Sequence, residues 1–110
     1  MIQYKEGVNI RGTCPEILEG QMVVNEVLAQ YGYITFVTCG REGSHSWTSR
    51  HYDGRARDYR SKHIHRDMLP HVRNEIKSRL KPLRDFDFIL EGLNGPNEHF
   101  HLEWQPKGER

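Results

Sequence analysis

The sequence predicts an α+β domain, with helices packed on a mostly antiparallel sheet. Two segments carry apolar residues at helical spacing, and short β-branched and aromatic runs are interspersed with them. The last two of those runs are joined by a Gly/Pro/Asn connection of the hairpin kind. The 110 residues suit a single domain, 1–110, with a modest core.

The first helix is expected over residues 15–32, where Ile17, Leu18, Val24, Val27, Leu28 and Tyr31 recur on one side. Thr13 and Glu16 fit a capping box, Pro15 suits the first turn, and Gly32 is placed to end the helix. YITFVT, residues 33–38, reads as a strand, and the Gly- and Ser-bearing stretch 40–49 as a loop. A second helix is expected over 67–80, with Asp67 as N-cap, Pro70 in the first turn, and Met68, Leu69, Val72, Ile76 and Leu80 on one face. Pro82 closes it. FDFIL at 86–90 and HFHLEW at 99–104 form the final strand pair around LNGPNE.

Lys+Arg 16 against Asp+Glu 15 leaves a formal charge of +1, so the overall balance calls for neither a nucleic acid nor an anionic membrane. A hydrophobic content of 35% and a mean hydropathy of -0.82 are low, yet two Trp, five Tyr and four Phe supply core residues that disordered chains lack. No secretory signal and no membrane-spanning run is present, which points to a product that is cytoplasmic as synthesised. Cys14 and Cys39 read as two buried thiols rather than a disulfide. Seven histidines, at 45, 51, 63, 65, 71, 99 and 101, are the compositional oddity and a reason to look for a metal.

In HFHLEW the period of two puts Phe100, Leu102 and Trp104 on the core face and His99, His101 and Glu103 on the other. That second face is open to two readings, a solvated polar face or a ligand set. SRHYDGRARD, residues 49–58, adds a second cluster. Gly54 lets the chain turn between His51 and a strand in which Ala56 and Asp58 share one face, with Arg55, Arg57 and Tyr59 on the other. A small Ala beside a carboxylate leaves room for a metal and its water, and imidazole with carboxylate suits Zn²⁺. The arginines of this stretch are expected on the outward face of the strand. KHIHR, residues 62–66, is a rival metal or phosphate contact that reads as a solvated connection before the second helix. The basic run Arg50, Arg55, Arg57, Arg60, Lys62 and Arg66 would suit phosphates, but no nucleic-acid motif accompanies it.

Ser49, His51, Gly54, Ala56 and Asp58, read as S-x-H-x-x-G-x-A-x-D and followed by H-x-H at His99 and His101, resemble the zinc signature of the M15 peptidases. These are D-Ala-D-Ala carboxypeptidases and related peptidoglycan peptidases that share a fold with the hedgehog signalling domain. The resemblance spans about residues 7–104 and includes Gly7 and Val8, the first helix and a T-C-G-R turn. It implies a hedgehog/DD-peptidase fold, Zn²⁺ as cofactor, and His51, Asp58 and His101 as its ligands. It further implies His99 beside the ligands or against the substrate, Arg41 at the substrate carbonyl or carboxylate, and Ser49 near the ligands. Glu98 is the preferred general base, with Glu91 as the other candidate. The implied activity is hydrolysis of peptidoglycan stem peptides by a monomer, as carboxypeptidase or endopeptidase, with access to the wall through phage-type lysis. The alternative is an inactive zinc-bearing interaction module of the same fold.

Overall fold

The computed structural model describes residues 1–40 and 54–106. It is an α+β structure: two helices packed against a five-stranded, mostly antiparallel sheet. The strands are β1 (Ile2–Tyr4), β2 (Thr35–Cys39), β3 (Ala56–Arg60), β4 (Phe86–Glu91) and β5 (His99–Trp104), and the helices α1 (Pro15–Gln30) and α2 (Leu69–Leu80). Their order in the sheet is β1-β2-β3-β5-β4, with β1 parallel to β2 and every other pairing antiparallel. β3, which carries Asp58, therefore lies beside β5, which carries the H-x-H pair. Among the described residues no helix is long and apolar enough to cross a membrane.

One face of the sheet is covered by the helices. Ile17, Val24, Val27 and Leu28 of α1 and Val72, Ile76 and Leu80 of α2 meet Val37, Tyr59, Phe88, Phe100 and Leu102 from four strands in one core. Burying side chains of this size is worth roughly 1.5–3 kcal/mol each, which is what holds the amphipathic helices on the sheet. α1 sits close enough that a Cβ on Gly20 would lie 2.9 Å from both Leu102 and Phe86.

Both helices start later than their expected caps. The residue before α1 is Cys14, not Thr13, and Thr13 instead donates its hydroxyl to the Ile10 carbonyl at 2.6 Å. α2 begins after Met68, with Asp67 outside it and no side-chain cap. Pro82 falls within a short 3-10 turn, Lys81–Leu83, that prolongs α2. β1 was not anticipated; three residues are too few to display a period.

Two expectations are corrected. Arg57 does not face outward: it is 1% exposed on the helix-covered side, where Nη1 donates to Gln21 Oε1 at 2.7 Å and Nη2 to Thr13 Oγ1 at 2.6 Å. Register explains this, because Arg57 and Tyr59 pair with the core residues Leu102 and Phe100. KHIHR is a solvated connection only in part: Lys62, His65 and Arg66 are exposed, but the residues between them are packed. His63 stands edge-on to Tyr33 and Phe36, with ring centroids 5.7 and 5.2 Å away, and Ile64 is buried in the core.

Candidate metal centre and active site

The face of the sheet turned away from the helices carries, from β1 outward, Lys5, then Phe36 and Thr38, then Asp58 and Arg60, then His99, His101 and Glu103, and then Asp87, Ile89 and Glu91. The antiparallel register sets Asp58 opposite His101 and Ile89 on the far side of His101, so one histidine lies between strands that each carry carboxylates. The β2–β3 ladder shifts register between Val37 and Cys39, next to Asp58. Such irregularities re-aim side chains locally and recur beside active sites.

The centre of the face is a tight polar set. Asp58 Oδ1 lies 2.8 Å from His101 Nδ1, and Glu103 Oε1 lies 3.2 Å from His101 Nε2. Asp58 and His101 side chains are 14% and 15% exposed, so the pair is shielded without being sealed. Both imidazole nitrogens face acceptors, so in the absence of a metal each carries a hydrogen. Burial alone would depress the His101 pKa, but the bonds and charges of Asp58 and Glu103 outweigh it and push it up to about 9. His99 Nδ1 donates to the Asn97 carbonyl at 2.6 Å, which turns Nε2 toward Asp58 Oδ2 at 3.8 Å and Glu91 Oε1 at 3.9 Å. Glu91 Oε1 also stands 3.8 Å from His101 Nδ1, on a side chain 44% exposed.

Asp58, His99, His101 and Glu91 are thus brought together, while Glu98 is otherwise engaged. Its carboxylate, buried at 4% residue exposure, accepts from Ser61 Oγ at 2.6 Å, Arg66 Nη1 at 2.6 Å and the Asn94 N–H at 3.0 Å. Burial alone would raise its pKa; these three bonds and the Arg66 charge overcome that and hold the carboxyl below the ordinary carboxylate range. His51, Arg41 and Ser49 lie outside the described residues. Gly54 has φ +70, as a turn there requires, and a Cβ would stand 2.2 Å from the Gly12 carbonyl oxygen, so the position also needs close backbone approach. Cys14 and Cys39 are not bonded to one another.

Among the described residues no group of three or more His, Cys, Asp or Glu side chains is arranged to hold a metal ion. Two of the three expected zinc donors, Asp58 and His101, nevertheless fit one. A carboxylate and an imidazole nitrogen converge, and Glu103 on the remote nitrogen supplies the carboxylate that commonly orients a metal-bound histidine. Sequence reasoning placed Glu103 on the right face but gave it no role; the i, i+2 spacing from His101 was the available signal. No protein-family model matches the chain, and neither a curated protein nor a solved structure matches it.

Proposed function

We propose that the chain is a zinc-dependent peptidase acting on peptidoglycan stem peptides, with its active site on the open sheet face around Asp58. The observation that carries this reading is the 2.8 Å approach of Asp58 and His101 across β3 and β5. Asp58 and His101 would hold the ion, joined by His51 as the M15 resemblance implies. Zinc bound there supplies Lewis acidity toward a scissile carbonyl and a water whose pKa falls to ~7.

The other tasks fall to the chain's own groups. Glu91, half-exposed and within 3.8 and 3.9 Å of the two imidazoles, is placed to take a proton and return it to the leaving amine. This moves the general base away from Glu98, whose three accepted hydrogen bonds would have to break before it handled a proton. Asn97 holds a hydrogen on His99 Nδ1, so Nε2 can accept from a substrate N–H, and donates to an oxyanion only in the imidazolium form. Arg41 keeps the substrate-facing role that the resemblance gives it.

Metal analysis of the purified protein, coupled to mass spectrometry of peptidoglycan fragments after incubation, tests the reading. Bound zinc and release of D-Ala or opened cross-bridges are expected. Glu91→Gln should keep zinc and lower kcat by ~10²-fold or more. Loss of turnover in Glu98→Gln with a folded protein and an active Glu91→Gln would return the proton to Glu98. Zinc binding with no hydrolysis of any wall peptide would make the chain an interaction module.

A further inference from the structure

β4 is the last strand of the sheet, and nothing among the described residues pairs with its outer side. The Gln105 N–H donates to the Asp85 carbonyl at 2.7 Å, which fixes the phase of the antiparallel ladder. Alternate residues of β4 bond to β5, and Phe86, Phe88 and Leu90 turn their N–H and C=O groups outward. Folded proteins commonly blunt such an edge with a bulge, a Pro, a Lys or a very short strand. β4 has none of these: FDFILE runs in unbroken register from Phe86 to Glu91, whereas the opposite edge, β1, is three residues long. Leu83, Ile89 and Leu93, within or beside β4, are 43%, 46% and 58% exposed.

Two clefts flank this edge, one on each face of the sheet. On the helix side a space of about 580 Å³ between β4 and α2 is floored by Leu80, Phe86 and Phe88. On the other side a space of about 500 Å³ carries the exposed acids Asp87 and Glu91 with Glu103 behind them, and its His101 is already closed by Asp58 and Glu103. Lys77 of α2 stands at the rim of both. An added strand sends alternate side chains to opposite faces, so it would meet an apolar cleft and an acidic one in turn. A second copy of β4 is opposed by charge. With the outward groups matched antiparallel, the two longest registers set Asp87 against Glu91, or Asp85 against Glu91.

We infer that β4 is a docking edge for an extended segment of a partner protein, which adds as an antiparallel strand. Its apolar side chains lie opposite Phe88 and Leu90, and its basic side chains opposite Asp87 and Glu91, four residues apart. Those basic positions are the ones that do not bond to β4, where facing side chains of an antiparallel pair approach most closely. The inference stands apart from the peptidase reading, because a chain that hydrolysed nothing would present the same edge.

The peptide acetyl-Lys-Val-Thr-Val-Lys-amide, added to the full chain at low ionic strength, tests the edge. It should slow hydrogen exchange at the Phe88 and Leu90 amides, and bind ~10-fold or more tightly than the peptide with Glu in place of both Lys. In Asp87→Lys, a change at an exposed position, that preference should fall to ~3-fold or less. Methylating the two Val nitrogens, which face β4, should abolish the protection; methylating the two Lys nitrogens, which face away, should leave it. Equal effects of the two methylations, or equal affinity for the Lys and Glu peptides, overturns the inference. So does protection of the same amides by raised protein concentration alone, with a dimer in sedimentation equilibrium, which would give the edge to a second copy. No turnover is read, so either failure leaves the peptidase reading as it was, and a chain without hydrolysis that protects these amides would keep the edge alone.

Discussion

Asp58 and His101 face each other across neighbouring strands, with Oδ1 2.8 Å from Nδ1, and the other imidazole nitrogen is closed by Glu103 at 3.2 Å. The contact is fixed by register rather than by loops, because Asp58 and His101 are direct partners in the β3–β5 ladder. A charge-assisted pair that is mostly buried contributes ~1.5–3 kcal/mol. In zinc-free protein at pH 7, a double-mutant cycle over Asp58→Asn and His101→Gln should return a coupling of that size by urea denaturation. In zinc-loaded protein, Asp58→Asn should weaken the metal by more than ~100-fold in a chelator competition, since it removes a ligand charge rather than an outer partner. Unchanged zinc affinity would remove Asp58 from the donor set.

Glu103 should act on the metal through His101. Metal-bound histidines are oriented by a carboxylate on the remote nitrogen, and loss of such a partner costs ~10–100-fold in affinity. Glu103→Gln keeps an acceptor within reach of Nε2 but discards the charge, so the expected loss lies at the low end of that range. The same chelator competition reads it, and the far-UV spectrum should not move. A loss as large as that of Asp58→Asn would instead make Glu103 a direct ligand.

Glu98 sets an acid limit on stability. Its folded pKa is held below its ordinary value, so its contribution is fully present above ~4.5 and fades as pH falls through the lowered folded value. Arg66 is 43% exposed, which discounts its side of the pair by solvent screening, so Arg66→Ala should cost ~1–2 kcal/mol at pH 7. The difference between wild type and Arg66→Ala in thermal denaturation should shrink as pH is lowered below 4.5. A difference constant from pH 7 to 3 would show that the pair is not what Arg66 contributes.

Local periodicity made much of this legible. β5 falls on HFHLEW with the core face on Phe100 and Leu102, and the open face with both histidines, as alternation requires. The juxtaposition of Asp58 with His101 has no local signal, and only the M15 resemblance implied it. Arg57 was misjudged although the same alternation held the answer: a residue opposite Asp58 must share the face of Tyr59, and an aromatic at that parity marks the covered side. The engagement of Glu98 by Arg66 joins positions 32 residues apart and leaves no local trace, so the choice between Glu98 and Glu91 needed three dimensions.

Gly54 ties the strand that carries Asp58 to the segment before α1. Cys14 donates its N–H to the Gly54 carbonyl at 3.1 Å, Gly54 sits at φ +70, and a Cβ would meet the Gly12 carbonyl oxygen at 2.2 Å. Both the dihedral and the contact penalise a side chain, and the obstacle is backbone rather than a flexible side-chain tip. Gly54→Ala should therefore cost ~2–3 kcal/mol in urea denaturation, above the ~1 kcal/mol expected of a positive φ alone. Because β3 begins two residues later, the shift should pass into the ladder that holds Asp58 opposite His101. Zinc affinity should fall with stability even though no donor is changed. A Gly54→Ala protein as stable as wild type would mean that the segments around Gly12 and Gly54 can part without cost.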